Sequence, residues 1–157
     1  MMRMRIDRAL GVLIVMAAVT APSVWAEPLT AQDRDAITRL GSTQGRSENE
    51  IAPLLDHVSK AGERGLPTES LLNKVREGLA KGVEPKRIDP VLRQMTSRLE
   101  SAHEVLQEAG TRGMEEGNRQ RAIETMAEAL SRGATVDEVR ELSRLSQDGR
   151  HKATQEE

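Results

Sequence analysis

The chain has 157 residues, with 23 Lys/Arg against 25 Asp/Glu and a formal charge of −2, enough for one modest domain. It contains no Cys, Phe or Tyr and a single Trp, which excludes a disulfide framework and any nucleic-acid or sugar surface built on stacked rings. The near-neutral balance supplies no electrostatic reason for a nucleic-acid partner.

Arg3, Arg5 and Arg8 precede the 12-residue apolar run Leu10–Ala21; Pro22 and Ser23 then break it, and Val24-Trp25-Ala26 offers a cleavage site. This layout predicts a secretory signal peptide over residues 1–26, cut after Ala26. The run is shorter than the roughly 20 residues of a membrane span, so no stable anchor is expected, and the mature chain is assigned to the periplasm or the exterior. Cleavage removes Trp25 and leaves 20 Lys/Arg against 24 Asp/Glu, a charge of −4. The core must then be built from Leu, Ile, Val, Met and Ala. Helix formers dominate, so an all-α fold is predicted: five to six mostly short helices joined by glycine turns, with one longer helix at about 90–109.

Residues 27–46 read as an N-terminal segment: Thr30 and Asp33 cap a short helix over 31–40, and Gly41–Gly45 form a loop. A helical domain follows over 47–148. Ser47 and Glu50 have the spacing of a capping box, and Ile51, Leu54, Leu55 and Val58 form an apolar stripe. Pro53 is expected to distort the first turn; Gly62 and Gly65 stop the helix. Thr68 caps the next helix, whose inner face is Leu71, Leu72, Val75 and Leu79 and whose end is Gly82. A single turn around Ile88 is then expected, followed by a new start with Asp89 as cap and Pro90 in the first helical position. From there Val91, Leu92, Met95, Leu99, Ala102, Leu106 and Ala109 keep helical rhythm. Gly110–Gly117 read as a hinge. A helix over about 119–132 turns Ile123, Met126 and Leu130 inward and ends at Gly133. Thr135 and Glu138 make a second capping box for a last helix lined by Val139, Leu142 and Leu145. From Asp148 the apolar periodicity is gone, and 149–157 are expected to be a disordered tail.

A local unit recurs. Gly45 to Ile51 parallels Gly133 to Val139, each with a cap two residues after the glycine and a β-branched residue six after it. Gly65, Gly82 and Gly117 are likewise followed at six by Leu71, Ile88 and Ile123. Glycine supplies the left-handed turn that ends one helix while the following residues start the next. Such spacing suits a small solenoid with a concave surface or plain punctuation in a bundle.

No spacing matches a phosphate loop, dinucleotide site, nucleophile elbow or zinc motif, so neither catalysis nor a cofactor is expected. Glu100 and His103, three apart on one helix, are the nearest approach to a metal pair, but a metal site needs further donors. His57 and His151 lack even that company. Lys74, Arg76, Lys81, Lys86 and Arg87 form a basic patch near Gly82, explained by end-of-helix charge matching.

The fragment Leu71–Pro85 resembles a stretch of small exported helical proteins of Gram-negative bacteria, a group without an established activity; the resemblance implies export. Leu29-Thr30-Ala31-Gln32 is similar to the LTxxQ element of small periplasmic chaperones related to Spy and CpxP, with the glutamine one residue earlier. That resemblance implies an all-helical dimer that shields unfolded or stressed proteins. The expectation from the residues themselves is a non-enzymatic helical interaction or structural module with a protein partner or a second copy.

Overall fold

A computed structural model describes the side chains of residues 29–110 and 114–146 and the backbone through 155. The expected signal peptide lies outside these residues. Six helices follow in order, α1 (Ala31–Thr43), α2 (Glu48–Glu63), α3 (Glu69–Ala80), α4 (Pro85–Glu108), α5 (Glu116–Ser131) and α6 (Val136–Gln155). Among the described residues there is no strand, and no helix is long and apolar enough to cross a membrane.

Four of the turns repeat one piece of geometry. At Gly82 (φ 69°) the Val83 N–H donates to the Gly78 carbonyl at 2.9 Å, and the Gly82 N–H donates to Leu79 at 2.9 Å. This is a Schellman closure, in which a left-handed residue lets two chain-end amides satisfy orphan carbonyls. The same bond pair closes the turns at Gly45, Gly65 and Gly133, with φ of 71°, 76° and 105°. Four residues before each turn glycine stands a small residue (Gly41, Ala61, Gly78, Ala129), and six after it stands a buried apolar one (Ile51, Leu71, Ile88, Val139). The spacing is physical at Gly41 and Gly78. A Cβ on Gly41 would collide with Ile51 Cδ1, and one on Gly78 would lie 2.6 Å from Ile88 Cδ1. The missing side chain is the space into which the next helix folds its isoleucine. Gly117 does not belong to the unit, because it lies inside α5.

The helices pair as three hairpins, α1–α2, α3–α4 and α5–α6. The second stacks on the first through α1–α3 and α2–α4, and the third on the second through α4–α5 and α4–α6. Among the described residues the first and third hairpins share no comparable contact, so packing runs mainly between neighbours, as in a short helical solenoid. A continuous core runs from Leu29 and Ile37 through Leu54, Leu72 and Leu92 to Ile123 and Ala127. Residues 29–46 therefore belong to the same core as the rest of the domain.

Several local expectations are corrected. α1 runs on to Thr43, and Gly41 is buried within it instead of opening a loop. Gly62 lies inside α2, which passes through Pro53. α4 is unbroken from Pro85, so Asp89 does not cap a helix: it sits in the second turn and accepts from Arg93 Nε at 2.8 Å. Pro53 and Pro90 each stand six positions after their N-caps, Ser47 and Glu84, and both are exposed. There the ring removes one backbone bond on the solvent side, where water replaces it. Ile51 and Leu54 about Pro53, and Ile88 and Leu92 about Pro90, are buried and hold the turn in place. Thr68 occupies an N-cap position, but its side chain makes no capping bond, because its backbone is already near-helical at φ −91°, ψ −25°. α5 begins at Glu116 and not near Arg119. The α6 backbone stays helical to Gln155, past the expected end of order at Asp148. Leu142 and Leu145, expected to face inward, are 61% and 58% exposed.

Candidate functional site

One recess follows from the stacking of hairpins. α3 and α5 both lie on α4 without closing on each other, which leaves a furrow of about 340 Å³ between them. Val91, Met95 and Leu99 of α4 form its floor, Ser70 and Lys74 of α3 one wall, and Ala127 with Glu124 and Glu128 of α5 the other. Val91 is 42% exposed although it keeps the apolar rhythm of α4. Ser70 Oγ is buried at this wall without a hydrogen-bond partner. A second hollow of about 240 Å³ shares Lys74 and Val91 and continues toward Gly78, Val83 and Arg87. These two volumes sit at or below the small end of small-molecule pockets, and a more open hollow of about 790 Å³ adjoins the first along Thr125, Ala129 and Arg132.

The furrow's rim is charged, and Lys74 and Glu128 there are held in ion pairs. Glu77 accepts from Lys74 Nζ at 2.6 Å and from Lys81 Nζ at 2.5 Å. The hydrogen bond from Lys74, then that from Lys81, draw the Glu77 carboxyl from its ordinary 4.5 to about 2. Arg76 donates to Asp33 at 2.6 Å and to Glu69 at 3.3 Å, tying α3 to α1. Three residues of the predicted basic patch, Lys74, Arg76 and Lys81, are thus held in ion pairs.

The capping residues act as local structure. Thr30 Oγ1 accepts from the Asp33 N–H at 3.1 Å. Glu50 reaches back to the Ser47 N–H at 2.9 Å and to its Oγ at 2.8 Å. Thr135 and Glu138 complete a full box, with Glu138 accepting the Thr135 N–H at 2.7 Å and Thr135 Oγ1 accepting the Glu138 N–H at 3.2 Å. The backbone bond from the cap residue, then its hydroxyl, hold both glutamates below the ordinary carboxylate range.

These depressed carboxyls set a pH dependence. Their folded-state values lie below the unfolded one, so ionisation stabilises the fold above about 4.5 and that contribution is lost as pH falls through the folded values, about 2 for Glu77. Thermal melts followed by circular dichroism are expected to be flat near neutrality and to shift downward on acidification through this window. Glu138→Gln, which keeps the reach-back geometry but cannot titrate, should lose part of the acid-induced shift.

Glu100 and His103 do not converge on a shared centre. Glu100 pairs with Arg64 at the end of α2, and His103 Nε2 hydrogen-bonds Gln107 Nε2 at 2.6 Å. Among the described residues, no three His, Cys, Asp or Glu side chains gather as metal donors. The side chain of His151 lies outside the described residues. His57 has a role that sequence reasoning missed: its Nε2 meets Thr96 Oγ1 at 2.8 Å, joining α2 to α4. Thr96 is 4% exposed, and the available signal was a lone hydroxyl on the apolar face of the longest helix. Comparison with protein-family models, curated proteins and solved structures finds no match for this chain.

Proposed function

We propose that the chain is an exported, non-enzymatic helical module of the periplasm that holds a partner protein in the furrow between α3 and α5. One observation carries this reading: an apolar floor of Val91, Met95 and Leu99 left open between two helices that share α4 as a base. A photo-reactive residue at Val91 in cells expressing the whole sequence should give a discrete adduct of defined mass. The same probe at Ala36, exposed on α1, should not. Equal labelling at the two sites, or none at Val91, would overturn the reading. The mass of the recovered chain tests export, with a start at Glu27 expected. A second reading, a chaperone of the Spy and CpxP kind, is favoured by the exposed leucines of α6. It requires suppression of aggregation of an unfolded client, and no effect at stoichiometric excess would remove it.

A further inference from the structure

The furrow between α3 and α5 continues past Lys74 and Val91 into the hollow at Gly78, Val83 and Arg87, and both lie over one stripe of α4. Positions 87, 91, 94, 95 and 98 share that stripe by the 3.6-residue repeat. It reads Arg87, Val91, Gln94, Met95 and Arg98, a mostly apolar middle with a guanidinium at each end. Eleven residues separate the two arginines, about 16.5 Å along the helix axis.

Most other charges around these hollows are met within the protein. Glu77 takes both Lys74 and Lys81, and Glu128 takes Arg132. Arg87 is exposed and Arg98 half-buried. Among the described residues neither has an ion-pair partner, nor has Glu124 on the α5 wall. Counted with the adjoining third hollow, five cations line the recess against three anions. The excess is positive, and the two free cations bracket the apolar floor. A fixed cation at each end tells against a one-headed amphiphile, whose single anion meets only one of them.

We propose that the segment held in the furrow is acidic: its apolar residues rest on Val91 and Met95, and a carboxylate on either side of them reaches Arg87 at one end and Arg98 at the other. This rests on the reading that the furrow holds a partner protein, and it adds the chemistry of that partner. The span requires carboxylates about eleven residues apart in a helix, or about five apart in an extended strand. Arginine suits the task, because its planar fork meets a carboxylate through two parallel hydrogen bonds. Glu124 disfavours a further carboxylate against the α5 wall, so the acids belong at the ends of the segment. Pairs at such a rim add little affinity but select the partner.

The test uses the photo-reactive residue at Val91, in cells expressing the whole sequence, combined with Arg87→Glu, Arg98→Glu or both. Arg39→Glu makes the same charge change on the exposed face of α1 and serves as control. Adduct yield should fall about threefold with either reversal and about tenfold with both, and stay level with Arg39→Glu. Circular dichroism melts of the purified variants should match the parent, since neither arginine is paired within the fold. Should Arg98→Glu melt lower, Arg87→Glu and the milder Arg98→Gln carry the comparison. Sequencing of the cross-linked peptide by mass spectrometry should find Asp or Glu on both sides of the attached residue, at the span given above. A yield indifferent to the double reversal, an equal fall with Arg39→Glu, or a mapped segment without those acids would overturn the proposal. An adduct with the mass of a lipid or of a second copy would do so too. Wherever a partner's adduct still forms at Val91 but ignores the arginines, the furrow stands as a protein site and only the acidic partner falls; no adduct in the parent removes both.

Discussion

Replacing Gly78 with valine is expected to lower stability by about 1–3 kcal/mol, because it drives new atoms into a filled space. A Cβ there would stand 2.6 Å from Cδ1 and 2.8 Å from Cγ1 of Ile88, itself 3% exposed. The isoleucine is β-branched and stiff at its first torsion, so it yields only by moving α4. Urea unfolding would measure the loss. Adding Ile88→Ala should cost less in the Gly78→Val background than in the parent, with a coupling of about 0.5–3 kcal/mol. Gly117 is the control: nothing lies within 4 Å of its would-be Cβ, and Gly117→Ala should stabilise by about 0.4–1 kcal/mol. A gain at Gly78 like that at Gly117 would show that helix propensity, not the approach of the isoleucine, governs these sites.

Leu92→Ala is expected to have the larger effect, a loss of about 2–5 kcal/mol. Leu92 is fully buried on α4, the helix on which all three hairpins converge. Its neighbour Val91, 42% exposed, should tolerate alanine within about 0.5 kcal/mol. The two positions are adjacent in sequence and alike in chemistry, so the contrast isolates burial. A similar loss at both would mean that the furrow floor is part of the packed core.

What the sequence disclosed was local. Gly82 with positive φ, Leu79 and Ile88 inward, and the Thr135–Glu138 box follow from interactions within a few residues, and each is present. Pro90 misled because the rule against prolines inside helices weighs the lost bond and the clash, while Ile88 and Leu92 hold the turn from the other side. Gly41 misled because glycine marks both loop and close approach, and only the position of Ile51 separates them. The furrow could not be read, since Val91 has the same periodicity as Leu92 and differs only in what α3 and α5 leave uncovered. For the same reason Leu142 and Leu145 looked like core. A helical stripe announces an apolar face without naming its neighbour.

The nearest-neighbour stacking also governs the order in which the chain can assemble. The first hairpin needs nothing beyond α4 to complete its main contacts, because α5 and α6 pack on α4 and on each other. Such low contact order permits rapid closure. Synthesis from the amino end can therefore be matched by folding from that end, each hairpin settling on one already formed. The last to settle is the hairpin bearing Leu142 and Leu145, so the exposed leucines are presented only once the scaffold beneath them is complete.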